Sequence, residues 1–520
     1  MLLFAVVLLL PRLGGWDYYP GKYLWAEDGS VFMSHAQSMG FSSLWTPYAG
    51  YLQVYPRLVA LVADQFELLR RPSIFLVGWL LAYVTMFWAL ASRATNLGSG
   101  IFSILSLFVL VSLQPSYGET FLNLTNSQWL TGATLSLMVL ADAAPSRRPA
   151  LAKIPLLVLL GLSGPFSIVL LCPLAIRAFY LRDVRQNAVL YATIVGCALI
   201  QAVVLMKSGR ASPVGLDPQA WHWIDAFLAI VLLGASGIVG KVAAVAFWLV
   251  LAFAIVTGPR PFTDRTPKSL VPALSLVTAL LFIVASLYST KGNPMAVAAT
   301  GGGNRYTWIP YTLLFFSAIV ATNGKPVSRL VLFLLALFAC QQNFHKIPDS
   351  NLQFRSFANF AQHHPVLIPT APQWPAFPGW SIEGEPTTTP RGELWNSTPL
   401  PLQIFVPLNG PNRFSGSGLE FTSTSTDPAL VSSGRILCGQ ASDVAIEVDL
   451  DRPADGWVQF SWSRDRSFPE ARSLRRWYPA GPVNAQFAFP NNPGGNYIRL
   501  DPMETAGKVG ISKITAYCLR

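Results

Sequence analysis

Two adjacent carboxylates, Glu27 and Asp28, stand in the phrase YLWAEDG, with Tyr23 and Trp25 before them and Phe32 after. A carboxylate partly desolvated by aromatic rings has its pKa raised and can take a proton as a general base. Adjacent side chains on a helix or strand point in different directions, so only one of the two faces a substrate. The competing role is structural: an Asp ahead of a helix over 30–39 would cap its own backbone amides. The same stretch, 16–57, carries Asp17, His35, Tyr51 and Arg57 among tyrosines, tryptophans and glycines. So much polarity is not needed merely to connect two helices.

Three other phrases add polar groups. Glu119, Asn123, Asn126 and Gln128 cluster in GETFLNLTNSQW; Ser163, Gly164 and Pro165 make a turn; Arg305 and Tyr306 follow three glycines in GGGNRYTWIP. A glycine-rich loop exposes backbone amides to an anion, and an Arg beside it can pair a phosphate bidentately. Taken singly, each residue has an ordinary reading, as a snorkelling Arg or a member of an interfacial aromatic belt. Taken together they gather on one side of the chain's predicted topology, which favours a site.

The elements that position them are apolar. Hydrophobic residues make up 52% of the 520 positions and charged residues 12%, against about 25% charged in a soluble domain. This is the composition of a membrane protein. The net charge of +11 reads as topology rather than nucleic-acid binding, because the basic residues sit in short loops between apolar runs. Runs fall at 73–91, 101–114, 128–142, 154–164, 166–181, 188–206, 242–257, 270–288, 307–322 and 327–341. Met1–Leu13 is short for a span, and lacks the basic start and cleavage site of a signal peptide, so it is taken as a first helix. Arg147, Arg148 and Lys153 share one loop, Arg177, Arg182 and Arg185 a second, Arg260, Arg265 and Lys268 a third, and Lys325 and Arg329 a fourth. With these four in the cytoplasm, the acidic and glycine-rich phrases fall outside. Ile224–Gly240 is apolar too, but a span there would invert the later loops, so an interfacial or re-entrant helix is expected. About eleven spans result, with the N-terminus inside and the C-terminus outside.

From about Pro365 the composition shifts. LQIFVPL, VAIEVDL, GWVQFSW, AQFAFP and NYIRLDP alternate apolar and polar residues between turn signals. The expected organisation is a transmembrane domain over 1–342 with a first outside loop at 15–72, a juxtamembrane linker over 343–370, and a β-sandwich or jelly roll over 371–520. Cys438 and Cys518 are disulfide candidates if that domain is extracytoplasmic, while Cys172, Cys197 and Cys340 read as small buried hydrophobes. Trp457, Trp462, Trp477 and Tyr478 offer rings for sugar stacking, although sandwich core is the commoner fate of such residues. There is no internal repeat, and no GxSxG, HExxH or P-loop.

The phrases WAEDGSVF, PYAGYLQVYPRL, NLTNSQW, SGPFSI and GNRYTWIP, on a first outside loop followed by an interfacial helix and many spans, resemble the GT-C class of integral-membrane glycosyltransferases. The appended β domain is similar to that of GT-C arabinosyltransferases with carbohydrate-binding-like sandwiches. The resemblance implies a bacterial inner-membrane enzyme that moves a sugar from a polyprenyl-phosphate carrier to an extracytoplasmic glycan, glycolipid or protein, with inversion. It implies Asp28 as the base with Glu27 in reserve, and Arg305, then Arg57, with Tyr306, at the donor phosphate. Asp17, His35, Tyr51, Asn126 and Gln128 are left to hold sugar hydroxyls. The usual DxD is replaced by ED, which leaves a divalent metal open; no other cofactor is expected. Two rivals remain: a transporter or flippase for lipid-linked sugars, marked by ionisable residues inside spans, and a polysaccharide-binding protein.

Overall fold

The computed structural model describes residues 1–13, 22–115, 119–142, 151–208, 220–235, 237–258, 264–289, 304–341, 352–371, 381–384, 396–407, 412–415, 418–423 and 428–519. The chain forms two compact units. One comprises Met1–Tyr19, Met39–Leu61 and Phe75–Asp349; the other comprises Pro20–Ser38, Val62–Ile74 and Ser350–Arg520.

In chain order the helices begin with α1 (Leu2–Val7), α2 (Ser34–Met39), α3 (Val54–Asp64), α4 (Arg71–Asn96), α5 (Ile101–Ser112) and α6 (Ser127–Ala141). There follow α7 (Ile154–Gly161), α8 (Phe166–Val169), α9 (Leu171–Leu181), α10 (Ala188–Lys207) and α11 (Ala220–Val231). The last are α12 (Ile238–Val256), α13 (Pro267–Ser289), α14 (Trp308–Ala321), α15 (Pro326–Gln341) and α16 (Phe354–Ala361). Among the described residues, four helices are long and apolar enough to cross a membrane: Leu68–Asn96, α10, α12 and α13. Shorter apolar helices lie at Leu2–Arg12, Ile101–Ser112, Phe166–Leu181 and Pro326–Gln341. The apolar run expected at 224–240 is divided. The 12-residue α11 stops at a left-handed turn (Leu233 φ 57°, Gly234 φ 70°), and a new helix starts at Ile238. At 1.5 Å per residue α11 is roughly 18 Å long, too short to span alone.

Helix α6 lies at the centre of the helical unit. All fifteen of its residues are buried, polar ones included. Gly132 lets its neighbours close in, since a Cβ there would stand 2.6 Å from Phe166 and 2.8 Å from Ile309. At its C-terminal end, Asp142 accepts from Arg93 at 2.6 Å and from Lys153 at 2.7 Å. Arg177 donates to the Val139 and Asp142 carbonyls, both at 2.7 Å, and to Asp183 at 2.7 Å. The rest of the basic end joins through α4: Asn323 donates to the Leu97 carbonyl at 3.2 Å, and Lys268 Nζ lies 3.6 Å from where a Gly98 Cβ would be. The described members of the four basic loops therefore share one end of the unit.

After two short strands, β1 (Val366–Pro369) and β2 (Ser381–Gly384), the second unit has β3 (Asn396–Pro399), β4 (Phe405–Pro407), β5 (Asn412–Ser415), β6 (Gly418–Ser423), β7 (Leu430–Ser432) and β8 (Asp443–Arg452). They are followed by β9 (Gly456–Ser463), β10 (Ser473–Tyr478), β11 (Gly481–Pro490), β12 (Tyr497–Asp501) and β13 (Gly507–Leu519). Strands β3 to β13 form a five-stranded antiparallel sheet in the order β10-β9-β12-β7-β4 and a six-stranded one containing β11-β8-β13-β6-β5, with β3 also on β13. The sheets face each other through stacked rings, Phe460 on Phe487 at 5.0 Å and Trp462 on Phe489 at 4.8 Å, which makes a β-sandwich. Cys438 and Cys518 are disulfide-bonded, with Cα atoms 5.2 Å apart. Such a closure stabilises chiefly by restricting the unfolded chain. Helix α16 covers part of the six-stranded sheet: Ser356 and Asn359 donate to Asp443, and Phe360 packs on Tyr517. The stretch expected as a linker is thus structured in part, with α16 and the strand β1 (Val366–Pro369), which pairs with β2 (Ser381–Gly384).

The acidic phrase belongs to this second unit. Trp25 bridges Ala371, and the Ala371 amide donates to the Leu24 carbonyl at 2.9 Å. Gly29 makes the approach possible, because a Cβ would lie 2.5 Å from Thr370 Cγ2 and 2.6 Å from Ile382 Cγ2.

Two substitutions test this packing. Asp142→Asn leaves the buried Arg93 without its countercharge and is expected to lower stability by about 3–5 kcal/mol, read as a fall in Tm of the purified protein. Gly29→Ala overpacks the contact with Thr370 and Ile382 and should cost about 1–3 kcal/mol; an unchanged Tm would mean that the loop does not dock there.

Candidate functional site

The N-terminal end of α6 is where four of the sequence phrases meet. The segment before α3 is fixed from two sides. Val54 and Tyr55 donate their amides to the Leu162 carbonyl (3.2 Å) and to Ser163 Oγ (2.9 Å). Gln201 on α10 accepts from the Leu52 amide at 2.9 Å, and donates to the Leu52 and Gly164 carbonyls at 3.1 and 3.0 Å. Sequence reading passed over this residue. A glutamine inside the otherwise apolar run 188–206 was the available signal.

Residues 119–126 fold on themselves beside α4. Asn126 donates from its side chain to the Glu119 carbonyl at 2.9 Å, while its amide donates to Asn123 Oδ1 at 3.0 Å. Trp79 on α4 holds the Thr120 carbonyl at 2.9 Å. Glu119 is buried, and its carboxylate is ion-paired with Arg305, which lies over the ring of Tyr306. Aromatic rings enclose the region: Trp129 meets Tyr306 at 5.1 Å and Phe166 at 5.3 Å, and Phe121 meets Trp308 at 5.1 Å. Arg57 on α3 is fully buried. Burial pulls its pKa down to about 10, so it remains a cation at neutral pH.

Hydrogen-bonding capacity is left over at this end. Among the described residues, Gln53 Oε1, Asn126 Oδ1, Gln128 Oε1, Trp129 Nε1 and Trp308 Nε1 are buried with no hydrogen-bond partner. Buried polar atoms normally find one. Three amide oxygens and two indole N–H groups are the acceptors and donors that a polyhydroxylated ligand or ordered water would satisfy.

The structure therefore joins Arg305, Tyr306 and Asn126, and sets Gln128, Arg57 and Tyr51 in the same helical unit. It does not leave Arg305 as an isolated anion cradle, since Glu119 is its partner. Glu27, Asp28 and His35 fall in the second unit. There Glu27 is half-buried and Asp28 only 2% exposed. Asp28 is the first residue of a π-helical segment, Asp28–Met33, which leads into α2, with Glu27 at the capping position. Single π turns inside helices recur at functional positions. Asp17 and the three glycines before Asn304 lie outside the described residues. Among the described residues there is no group of three His, Cys, Asp or Glu side chains able to hold a metal ion.

The aromatic residues of the sandwich separate into two kinds. Trp462 and Tyr478 are buried in it. Trp457 and Trp477 face each other across β9 and β10 and are half-buried. A groove of about 510 Å³ crosses the six-stranded sheet instead, lined by Glu420, Asp449, Asp451, Pro482, Asn484 and Gly510 among others, with none of these tryptophans.

No family model and no curated protein matches this chain. Among solved structures, it shows a likeness to a family 29 carbohydrate-binding module from Piromyces equi, with a TM-score of 0.19 and 10% identity over 24% of this chain and 91% of that one. A second likeness is to a family GH115 4-O-methyl-alpha-glucuronidase with specificity for decorated arabinogalactans, with a TM-score of 0.15 and 9% identity over 54% of this chain and 34% of that one. Both are too slight to bear on the fold or the function.

A double-mutant cycle on Glu119→Gln and Arg305→Gln tests the central pair. A coupling of about 1–3 kcal/mol in thermal stability is expected for groups in direct contact, and additivity would show that they do not interact.

Proposed function

We propose that this protein is a membrane-embedded glycosyltransferase that moves a sugar from a polyprenyl-phosphate carrier to an acceptor in the cell envelope. The observation that carries the reading is the polar end of the helical unit, where Asn126, Gln128 and two indoles keep hydrogen-bonding capacity in the same unit as the Arg305–Glu119 pair. A sugar phosphate presents what these groups lack: hydroxyls for the amides and indoles, and an anion to compete with Glu119 for Arg305.

In this reading the helical unit crosses the membrane about eleven times, the polar end faces the periplasmic side, and the basic end faces the cytoplasm. The four long apolar helices support a membrane location, and the collection of the basic loops at one end supports the orientation. The acceptor hydroxyl gives its proton to a carboxylate, assigned to Asp28 with Glu27 in reserve. The acceptor oxygen bonds to the anomeric carbon as the bond from that carbon to the phosphate oxygen breaks, with inversion. Polyprenyl phosphate leaves with the electron pair, and Arg305 steadies its charge. Asn126 and Gln128 hold sugar hydroxyls. Asp17, His35, Tyr51, Arg57 and Tyr306 keep the roles expected of them from sequence, and the requirement for a divalent metal is tested by adding a chelator.

The test is sugar transfer or release from radiolabelled polyprenyl-phosphate sugars by the purified full-length protein. Wild type should turn over, Asp28→Asn should lose at least about 100-fold, the usual contribution of a general base, and Arg305→Ala should also fall sharply. Turnover untouched by Asp28→Asn moves the base to Glu27 or to another group. Tight binding of the lipid-linked sugar with no turnover on any carrier favours the transporter or binding protein.

A further inference from the structure

The two sheets of the sandwich have outer faces of different charge. On the six-stranded sheet the groove is lined by Glu420, Asp449 and Asp451. The five-stranded sheet carries cations and rings instead. Side chains alternate along a strand, so the neighbours of the core residues Phe460 and Trp462 on β9 point outward, among them Trp457, Gln459 and Ser461. Strand pairing sets Trp477 beside Trp457, Arg475 and Asp501 beside Gln459, and Arg499 beside Ser461. Tyr497 stands one step further along, opposite Ser463. From Trp457 to Ser463 the face runs about 20 Å, at roughly 3.3 Å per residue.

Two guanidinium groups converge at the Tyr497 end. Arg466 lies 4.5 Å and Arg435 5.3 Å from the centroid of that ring. A backbone carbonyl holds each of them, Ser433 accepting from Arg466 at 2.6 Å and Gly494 from Arg435 at 3.1 Å. Arg466 reaches this place from a left-handed backbone (φ 67°), a conformation that is costly for a residue with a Cβ. Midway along the face, Arg475 donates to Gln459 Oε1 at 2.6 Å. All three arginines are exposed, and among the described residues none has a carboxylate within ion-pair distance. The carboxylates of the neighbouring turn have other partners: Asp465 accepts from Ser463 and from the Ser467 amide, and Glu470 from Gln459. Arg499 differs, being paired with Asp501 at 2.7 Å.

We infer that this face binds an anionic polysaccharide, its acid groups on Arg435, Arg466 and Arg475 and its sugar rings against Trp457 and Trp477. Two guanidinium groups beside one ring repel each other, and an anion between them removes that repulsion. Their planar forks pair acid groups bidentately. The half-buried indoles add flat apolar surface for the C–H face of a sugar ring, with a polar N–H at its edge. A face some 20 Å long with cations at one end and rings at the other suits a chain rather than a single small anion. A lipid surface would call for protruding apolar side chains. Here the tryptophans are sunk to half-burial, and Val406, at 51%, is the exposed aliphatic residue among those described on this face. The Cys438–Cys518 disulfide in the same domain is the mark of an oxidising compartment, where nucleic acid is not the usual polyanion. The inference is independent of sugar transfer, since a transferase and a binding protein could each hold a glycan in this way.

The experiment measures binding of the purified full-length protein to two matched pairs of polymers: polygalacturonate with its methyl-esterified form, and dextran sulfate with dextran. Wild type should bind at least one charged polymer, and its neutral counterpart about 10-fold more weakly or worse. Arg466→Gln/Arg475→Gln should lose about 10-fold, the worth of a hydrogen bond to a charged group. Lys508→Gln/Lys513→Gln removes the same charge from the six-stranded sheet and should change little. Trp477→Ala, or Trp477→Leu should the smaller residue not fold, should also weaken binding several-fold. No binding of either charged polymer, equal binding of the neutral forms, or equal losses in the arginine and lysine doubles overturns the face. Full affinity in the Trp477 variant leaves charge alone and overturns the glycan in favour of any polyanion. Phosphatidylglycerol vesicles that displace the polymer from wild type, and bind through the same arginines, give the face to a lipid surface instead.

Discussion

Helix α6 has to be buried on every side although its sequence, SQWLTGATLSLMVLA, contains five polar residues. It manages this by returning side-chain hydroxyls to its own backbone. Thr131 donates to the Gln128 carbonyl at 2.9 Å, Thr134 to Leu130 at 2.9 Å and Ser136 to Gly132 at 2.8 Å. Back-bonded hydroxyls need no outside partner, so α7, α8, α9, α13 and α14 can approach without leaving orphaned donors along the shaft. At its first turn that arrangement fails. Ser127, Gln128 and Trp129 each keep an unpartnered buried atom among the described residues. The contrast lies within a single helix: the threonines and serine of the shaft are satisfied, whereas Ser127, Gln128 and Trp129 at the first turn are not.

Charge obeys a parallel rule. Arg12, fully buried, bonds the carbonyls of Ser112 and Gln114 and lies 4.6 Å from the ring centroid of Phe121. Arg93 and Arg177 have carboxylates. A cation removed from water needs such compensation, because its desolvation costs several kcal/mol. At partly exposed positions water can do the same work, and among the described residues Lys268 and Lys325, neither of them buried, have no carboxylate within ion-pair distance. The two ends of the unit thus differ for a physical reason. One is packed, paired and short of hydrogen bonds; the other is open and short of negative charge.

Sequence made much of the helical unit legible. Apolar runs predicted most helices to within a few residues, the grouping of Lys153, Arg177, Lys268 and Lys325 followed from loop charge, and alternation marked β4, β8, β9, β11 and β12 but missed others, the long β13 among them. What was hidden depended on contacts between distant residues. The partnership of Glu119 and Arg305 spans 186 positions and has no local signature. The fate of the tryptophans turned on strand parity: Trp457 and Trp462 stand on one strand an odd number of residues apart, so they point to opposite faces, and only Trp462 enters the core. The apolar run 166–181 hid a division into α8 and α9. The segment 343–370 read as a linker because its one short helix and its strand are stabilised by docking on the sandwich rather than by their own propensity.

The least local feature concerns the acidic pair. In sequence, Glu27 and Asp28 precede almost every span and read as part of a loop of the helical unit. In the structure their backbone is held by Ala371 and their helix rests on Thr370 and Ile382, more than 340 residues later. The reason is one missing side chain. With any Cβ at Gly29 the helix would stand off from β2 and from the turn after β1, and the Trp25–Ala371 bridge would be strained. The carboxylates are thus positioned by the sandwich unit, through α16, β1 and β2, rather than by the helices that flank them in the chain. That gives the C-terminal domain a role which requires no ligand of its own. Whatever chemistry Glu27 and Asp28 perform, a change in the packing of Thr370, Ala371 or Ile382 must reach it, because those residues meet the backbone on either side of the pair, at Leu24, Trp25 and Gly29.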